Sequence, residues 1–475
     1  MSLRLFNTLT RSVDEFVPLQ KGRASMYTCG PTVYNYAHIG NFRTFLFEDL
    51  LRRWLEASGF DVLHVMNLTD VDDKTIKGAR AAGNQLVDHT RTFADAFFED
   101  CAYLRIRPAT VYPRATEYIA PMIALVSGLL AKGIAYKGDD GSVYFAIAKF
   151  PAYGRLSRLD TRELRAGASG RVSADEYAKE DARDFVLWKA AQPDDEAVGA
   201  VWDAPFGRGR PGWHLECSAM ALDILGRTWH EQVLDIHAGG VDLTFPHHED
   251  EIAQSCAFTG QSDFARVWMH GEFLTMSGTK MSKRFGNILT ARDLAEQGVD
   301  AAAVRLLIFQ THYRQPLEFS DDSLAAAQQA TRRLAGFAER LAGPGGQGDA
   351  GEFLAAAVGF RAAFTEALDD DLNAPRATAA LFDFVTAANR ALDGGAAIPE
   401  EARAVWGWAM GVLDVVPGPV KVDAELAAWV EGKLAERVAA RQARDFARAD
   451  AIRKEVEGRG VEVEDTPAGP KWRLR

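Results

Sequence analysis

Two β-type runs that flank one helical run constrain the fold more than any other feature of this chain. Ser25 to Thr28 reads as a short strand that ends at Cys29 and Gly30. From Asn41 onward Phe42, Phe45, Leu46, Leu50, Trp54 and Leu55 recur at helical spacing, and Gly59 stops them. Asp61-Val-Leu-His-Val-Met-Asn-Leu then reads as a second strand. A strand–helix–strand order implies parallel pairing, and parallel sheets bind ligands in loops at the carboxyl ends of their strands. Cys29 to Gly40 is one such loop and Thr69-Asp-Val-Asp-Asp is the next, so both are expected to face one crevice.

The rest of the chain is read around that unit. At 475 residues it is too long for one ordinary core, so three or four folded units are expected. Residues 1–118 read as the first half of a parallel-sheet domain, 119–210 as an inserted subdomain, irregular from about 150, and 211–272 as the second half. Within these, 117–132 is predicted helical, 142–147 a strand, and 247–258 helical. Residues 273–322 hold a Gly/Ser-containing basic loop, 323–417 an Ala/Arg/Leu-rich helical bundle with a Gly-rich connector at 343–348, and 418–475 a small α+β tail. The tail is predicted as one long helix over 424–458 followed by two strands within 461–474. The fold class is therefore α/β with a parallel-sheet catalytic domain, an insertion, a helical bundle and a small C-terminal domain.

Composition excludes several classes. Hydrophobic residues make up 47% and charged residues 25%, a soluble globular profile. No apolar stretch reaches membrane-spanning length, because the best one, at 119–130, is short and interrupted by Pro121 and Ser127. No secretory signal is read in residues 1–21, and four cysteines without Cys-x-x-Cys spacing fit a reducing cytoplasm better than a disulfide framework. The net charge of −12 argues against a general nucleic-acid coat but leaves room for a local one. In the tail, Arg437, Arg441, Arg444, Arg448 and Lys471-Trp-Arg-Leu-Arg interleave cations with Phe446 and Trp472, a pattern that suits phosphate contact plus base stacking, or simply an exposed amphipathic helix.

Chemistry enters through two strings and a scattered set of candidate metal ligands. In His38-Ile-Gly-Asn41, Gly40 lets backbone approach a ligand at a helix start, where free N–H groups favour phosphate. Lys280-Met-Ser-Lys-Arg284 places two lysines three residues apart in a loop suited to a triphosphate whose charge grows as pyrophosphate leaves. Either string alone is an ordinary turn; together they are not. Cys29 and Cys217 are candidate thiolate ligands, and His247 and Glu251 stand at i, i+4 on a predicted helix, with His248 competing for the imidazole role. Cys101 and Cys256 read as inert packing, and Asp70, Asp72 and Asp73 as solvated loop carboxylates.

His38-Ile-Gly-Asn with Lys-Met-Ser-Lys resembles the paired ATP motifs of class I aminoacyl-tRNA synthetases. Thr28-Cys-Gly-Pro-Thr-Val-Tyr, Thr69-Asp-Val-Asp-Asp-Lys, Gly212-Trp-His-Leu-Glu-Cys-Ser-Ala-Met and Phe245-Pro-His-His-Glu-Asp-Glu-Ile-Ala-Gln are similar to blocks of the cysteinyl-tRNA synthetase family, and the likeness runs through the tail. Asn41 departs from the family's second histidine, Arg284 from its closing serine, and Ala238 from its usual glycine. The resemblance implies a Rossmann-type catalytic domain. It also implies one Zn²⁺ per chain on Cys29, Cys217, His247 and Glu251, and ATP with Mg²⁺ on His38, Gly40, Asn41, Lys280 and Lys283. Gly30, Thr69, Trp213 and His237 match the cysteine pocket, and His38, Asn41, Lys280 and Lys283 are the implied catalytic set. The implied activity is ATP-dependent attachment of L-cysteine to its cognate tRNA by a cytoplasmic monomer without membrane contact, the tail recognising the anticodon. Three rivals share parts of the pattern: a ligase joining cysteine to an amino-sugar, a silent paralogue that only binds tRNA or protein, and a zinc hydrolase.

Overall fold

The computed structural model describes residues 2–158, 184–276, 279–280, 288–418, 424–466 and 469–474. It divides into two compact units, Met1–Val416 and Pro417–Arg475.

In the first unit, a hairpin of β1 (Arg4–Asn7) and β2 (Ser12–Glu15) precedes β3 (Arg23–Thr28), α1 (Ile39–Ala57) and β4 (Asp61–Met66). The strand–helix–strand unit is present, and β3 and β4 pair in parallel from Arg23↔Asp61 to Thr28↔Met66. Both strands are buried at every position after the first, which is the signature of a parallel strand covered on both faces. Helices α2 (Asp73–Ala82), α3 (Leu86–Tyr103) and α4 (Ile119–Ala131) follow. The insertion is more regular than its composition suggests. Strands β5 (Ala135–Lys137), β6 (Val143–Phe145), β7 (Phe185–Ala190) and, after the short α5 (Pro193–Ala197), β8 (Gly209–Pro211) form a four-stranded antiparallel sheet. Gly, Asp, Arg and Pro mixed with short apolar runs from about 150 to 210 read as irregular. Gly209 is instead required within the sheet, since a Cβ there would stand 2.0 Å from the Lys189 carbonyl oxygen.

The chain then returns to the parallel sheet through α6 (Trp213–Trp229), β9 (Leu234–Gly240), α7 (Glu249–Thr259) and β10 (Ala265–Gly271). Its strand order is β10-β9-β3-β4, all parallel. Successive crossovers leave β3 in opposite directions, so the topological switch point lies between β3 and β9, at their carboxyl ends. Helix α7 starts at Glu249 and continues directly from a single π-helical turn, Thr244–His248, that carries His247 and His248, in keeping with the helix expected over 247–258.

Strands β11 (Leu274–Met276) and β12 (Thr279–Lys280), helices α8 (Ala291–Glu296) and α9 (Ala301–Phe309), and β13 (Leu317–Phe319) lead to a bundle of α10 (Asp321–Ala342), α11 (Gly351–Asp369), α12 (Ala374–Asp393) and α13 (Glu400–Leu413). One face of the parallel sheet shares its core with this bundle. Trp54 of α1 lies 6.2 Å from the Phe364 ring and 5.8 Å from the Trp408 ring. The other face packs beneath α4, α6, α7 and the antiparallel sheet. Arg305, wholly buried, ties the layers together by pairing with Asp49 at 2.9 Å and donating to the Leu413 carbonyl at 2.9 Å.

The second unit corrects two expectations. Its helix is broken into α14 (Ala424–Gln442) and α15 (Phe446–Glu457), because Arg444 takes the left-handed conformation at φ 61° and the Asp445 carboxylate caps α15 at the Arg448 N–H. Strands β14 (Val461–Thr466) and β15 (Gly469–Leu474) pair antiparallel over a small core of Val430, Leu434, Ile452, Val456, Val461 and Val463. Arg437, read as a phosphate contact or as part of an exposed helix face, is 4% exposed and binds both oxygens of Asp465, at 2.6 and 2.9 Å. It holds the tail's own fold. Arg441 joins the same carboxylate at 2.9 Å, and Arg448 pairs with Glu436. Phe446 stays 61% exposed.

Candidate metal centre and ATP loops

Cys29 leaves β3 at the switch point, its N–H donating to the Ala238 carbonyl of β9 at 3.1 Å. Gly30 follows because nothing larger fits: a Cβ there would sit 1.8 Å from the Asn67 carbonyl oxygen. Its N–H donates to Asn67 Oδ1 at 2.9 Å, and Asn67 Nδ2 donates to Thr69 Oγ1 at 3.1 Å. Thr69 N–H in turn donates to the Pro31 carbonyl at 3.1 Å. The two loops expected to share a crevice are thus bonded to each other.

Three elements close on Cys29. Helix α6 begins at Trp213 and turns His214 and Cys217 inward, while the turn before α7 brings His247 and His248, and α7 itself Glu251. Cys29 Sγ lies 3.9 Å from Cys217 Sγ and 3.9 Å from Glu251 Oε1, and His247 Nε2 lies 3.0 Å from Glu251 Oε1. One ligand atom each from Cys29, Cys217, His247 and Glu251 fall within 4.8 Å of one another, and all four residues are buried. A second group, Cys29, His237, His248 and Glu251, meets the same criterion. His237 Nε2 stands 3.0 Å from Glu251 Oε2, and His248 Nε2 stands 3.4 Å from Cys29 Sγ.

Burial works against ionisation throughout, and neighbours decide where charge survives. Desolvation pushes the Cys29 thiol well up. It opposes the Cys217 thiolate too, but the Cys29 thiol and His247 outweigh it and bring Cys217 down to about 6. Glu251, against the same burial, is held at about 2 by His237 and His247, and His247 is raised to about 10 mainly by Glu251 and Cys217. Negative charge thus rests on Cys217 and Glu251, a soft and a hard donor, faced by a cationic His247 and a protonated Cys29, and a metal ion binding here would displace those two protons.

Sequence reasoning missed two members of the surroundings. His214 Nδ1 lies 2.9 Å from His247 Nδ1, and its Nε2 lies 3.3 Å from Asp250 Oδ2. His270 of β10 contacts His248 at 2.8 Å through Nε2 and Thr8 Oγ1 at 2.8 Å through Nδ1. His214 stands inside the Trp-His-Leu-Glu-Cys block, which was a usable signal. His270, in a strand remote in sequence, had none. Trp213 is 39% exposed and lies on His247 at 4.3 Å between ring centroids, so it borders the site and is not a core aromatic. His237 stacks on Trp268 at 4.7 Å. Asp70, Asp72 and Asp73 are not merely solvated. Asp70 is buried and accepts from the Thr116 hydroxyl at 2.7 Å, Asp72 caps α2, and Asp73 pairs with Lys189 at 2.8 Å and with Arg210. Cys101 and Cys256 are buried free thiols outside both ligand groups.

His38 and Asn41 open α1 at the same carboxyl edge of the sheet. They cap it reciprocally: Asn41 N–H donates to His38 Nδ1 at 3.2 Å, and His38 N–H donates to Asn41 Oδ1 at 3.1 Å. Asn41 is exposed and His38 and Gly40 are half-buried. The chain beyond the basic loop returns to this point, as Ile39 N–H donates to the Leu289 carbonyl at 2.8 Å and His38 bridges Thr290. Before the loop, Lys280 pairs through its backbone with Thr275 of β11. Lys283 and Arg284 lie outside the described residues. Both ends of the basic loop are therefore anchored on elements that meet the α1 N-terminus.

Comparisons with known proteins agree with this geometry. The model of the tRNA synthetases class I (C) catalytic domain matches residues 15–329, and that of the DALR domain matches residues 363–408. A cysteine–tRNA ligase of Protochlamydia amoebophila is 46% identical over 473 residues, covering 99% of this chain and 97% of that one. A cysteine–tRNA ligase of Solibacter usitatus is 45% identical over 480 residues, covering all of both. Among solved structures, a Mycobacterium tuberculosis methionyl-tRNA synthetase with methionyl-adenylate covers 82% of this chain and 88% of its own at TM-score 0.60 and 16% identity. A LeuRS–tRNA–LeuAMS complex from Agrobacterium radiobacter covers 84% and 85% at TM-score 0.60 and 12% identity. These two share the fold. With His38–Asn41 at the carboxyl edge of a parallel sheet and a Cys/Cys/His/Glu cluster at its switch point, the chain belongs to the cysteine–tRNA ligase family of class I aminoacyl-tRNA synthetases.

Proposed function

We propose that this protein activates L-cysteine with ATP and transfers it to the 3′ end of its cognate tRNA, recognising the substrate thiol at a zinc centre. The observation that carries the proposal is the buried Cys29–Cys217–His247–Glu251 cluster at the switch point, beside the ATP-motif helix. Two sulfurs, an imidazole and a carboxylate in mutual reach fit Zn²⁺. Bound there, zinc supplies a position that prefers a thiolate to a hydroxyl, which an apolar pocket cannot do well for near isosteres.

The chain's own residues do the remaining work. The α1 N-terminus, with Gly40 keeping backbone accessible, receives phosphate oxygens, and His38 and Asn41 exchange their capping bonds for bonds to phosphate and ribose. Lys280 and Lys283 balance the charge on departing pyrophosphate. Gly30 and Thr69 shape the floor of the cysteine pocket, and Trp213 and His237 its walls. The cysteine carboxylate attacks the α-phosphorus and pyrophosphate leaves. The terminal tRNA hydroxyl then attacks the acyl carbon and AMP leaves. No protein nucleophile is needed, and Mg²⁺ arrives with ATP. Residues 273–322 are assigned to the ATP loop and acceptor-stem contact, and 418–475 to anticodon recognition, in a cytoplasmic monomer.

The test is ATP–pyrophosphate exchange with cysteine or serine, before and after zinc removal by a chelator. Exchange with cysteine, at least a thousandfold weaker with serine and lost with the metal, is expected. Unchanged cysteine-dependent exchange in protein verified to hold no zinc contradicts the assignment.

A further inference from the structure

The metal centre has more ligands than one ion uses, and they are arranged as two groups around a shared pair. The Glu251 carboxylate is split between neighbours: Oε1 faces His247 Nε2 at 3.0 Å and Oε2 faces His237 Nε2 at 3.0 Å. Cys29 Sγ is likewise placed between Cys217 Sγ at 3.9 Å and His248 Nε2 at 3.4 Å. All six side chains are buried.

His248 is built like a ligand. Its Nδ1 lies 2.8 Å from His270 Nε2, and His270 Nδ1 lies 2.8 Å from Thr8 Oγ1. When His248 Nδ1–H donates to His270, and His270 Nδ1–H to Thr8, the lone pair of His248 Nε2 points at Cys29. This is the outer-shell support that metal-binding imidazoles use. His237 is fixed by Trp268, whose ring is stacked on it at 4.7 Å and 17°.

We propose that Cys29, His237, His248 and Glu251 form a second site for a soft or borderline divalent cation, bridged to the first ion by the Cys29 thiolate and the Glu251 carboxylate. The proposal rests on the zinc reading of Cys29, Cys217, His247 and Glu251 given above. Filling the second site draws His237 out of the cysteine pocket, so its occupant is an inhibitor that acts only at metal levels above those that fill the first site.

The experiment dialyses full-length holoenzyme against increasing Zn²⁺, measuring bound metal by mass spectrometry and cysteine-dependent exchange in parallel. Metal content is expected to rise from one to two ions per chain while exchange falls at least tenfold. X-ray absorption is expected to show a metal–metal distance of about 3.5–4 Å, as in other two-metal sites. His248→Gln is expected to keep the first ion and refuse the second. Should that variant not fold, as judged by circular dichroism, His237→Asn serves the same comparison. A plateau at one ion in wild type overturns the proposal and leaves the first site standing, as does a second ion that binds both variants equally. Protein that holds no ion even after reconstitution overturns the zinc reading itself.

Discussion

Gly30→Ala tests whether the crevice is as tightly built as its hydrogen bonds imply. The added Cβ would lie 1.8 Å from the Asn67 carbonyl oxygen and 3.0 Å from Met66 Cγ. Reaching an ordinary contact of 3.4 Å from that oxygen requires the loop or β4 to give by about 1.6 Å, far beyond local bond-angle adjustment. Neither side is free to move. Cys29 is tied to Ala238 of β9, Gly30 to Asn67, and Pro31 and Val33 to Thr69. The shift therefore falls on Cys29 and Thr69. Overpacking of this kind costs about 1–3 kcal/mol in stability, and the strained Gly30–Asn67 bond adds about 1 kcal/mol. Misplacement by 1 Å in a reacting assembly costs about 10²-fold in rate. The expected result is a fold retained by circular dichroism, zinc content reduced below one per chain, and kcat/KM for cysteine in ATP–pyrophosphate exchange lowered by about 10²-fold. A variant within threefold of wild type in exchange, with full zinc content, refutes the claim that backbone contact at Gly30 positions Cys29.

Other expectations follow from single features. Burial, and then Arg52, hold His64 down to about 3 from its ordinary 6.5, so the folded chain keeps it neutral while the unfolded chain protonates. Stability from this group is complete above pH 6.5 and drains as pH falls towards 3, by about 5 kcal/mol in full; His64→Gln is expected to shift the acid-unfolding midpoint downward, and no shift refutes the reading. Cys256→Ala is expected to leave zinc content and exchange within twofold, whereas Cys217→Ala removes the ion; equal losses refute the ligand assignment. Lys283→Ala is expected to lower exchange by at least 10²-fold without changing cysteine-induced quenching of the tryptophan next to the site. Arg437→Met strips Asp465 of its bidentate partner and is expected to unfold the tail, read as lost amide protection in α14 and β14, while cysteine-dependent exchange persists.

The parts of this fold that were legible in the sequence are those written in local periodicity. The β3–α1–β4 unit, its crevice and the two tail strands follow from apolar spacing and from Gly59. Cys29, Cys217, His247 and Glu251 come from three separate segments, and nothing local joins them; only the family likeness placed them together. In the antiparallel sheet of the insertion only β6 was legible, within the strand predicted over 142–147; β5 and β8 have three residues each, too few for a period of two to show. The break at Arg444 was invisible since the surrounding Ala/Arg pattern continues through it, and the left-handed turn depends on capping by Asp445. Arg437 was misread because its partner, Asp465, stands beyond the next helix and a turn. His270 was unreadable for the same reason: its role is set by β10 lying beside β9.

The central claim is that the thiol-recognising pocket serves tRNA charging. It is tested most directly by following labelled cysteine, with ATP present, into total tRNA while an amino-sugar competes as acceptor. Label that is acid-stable and alkali-labile on tRNA is the predicted result. Cysteine-dependent AMP formation with label only on the sugar, or no AMP at all, contradicts it.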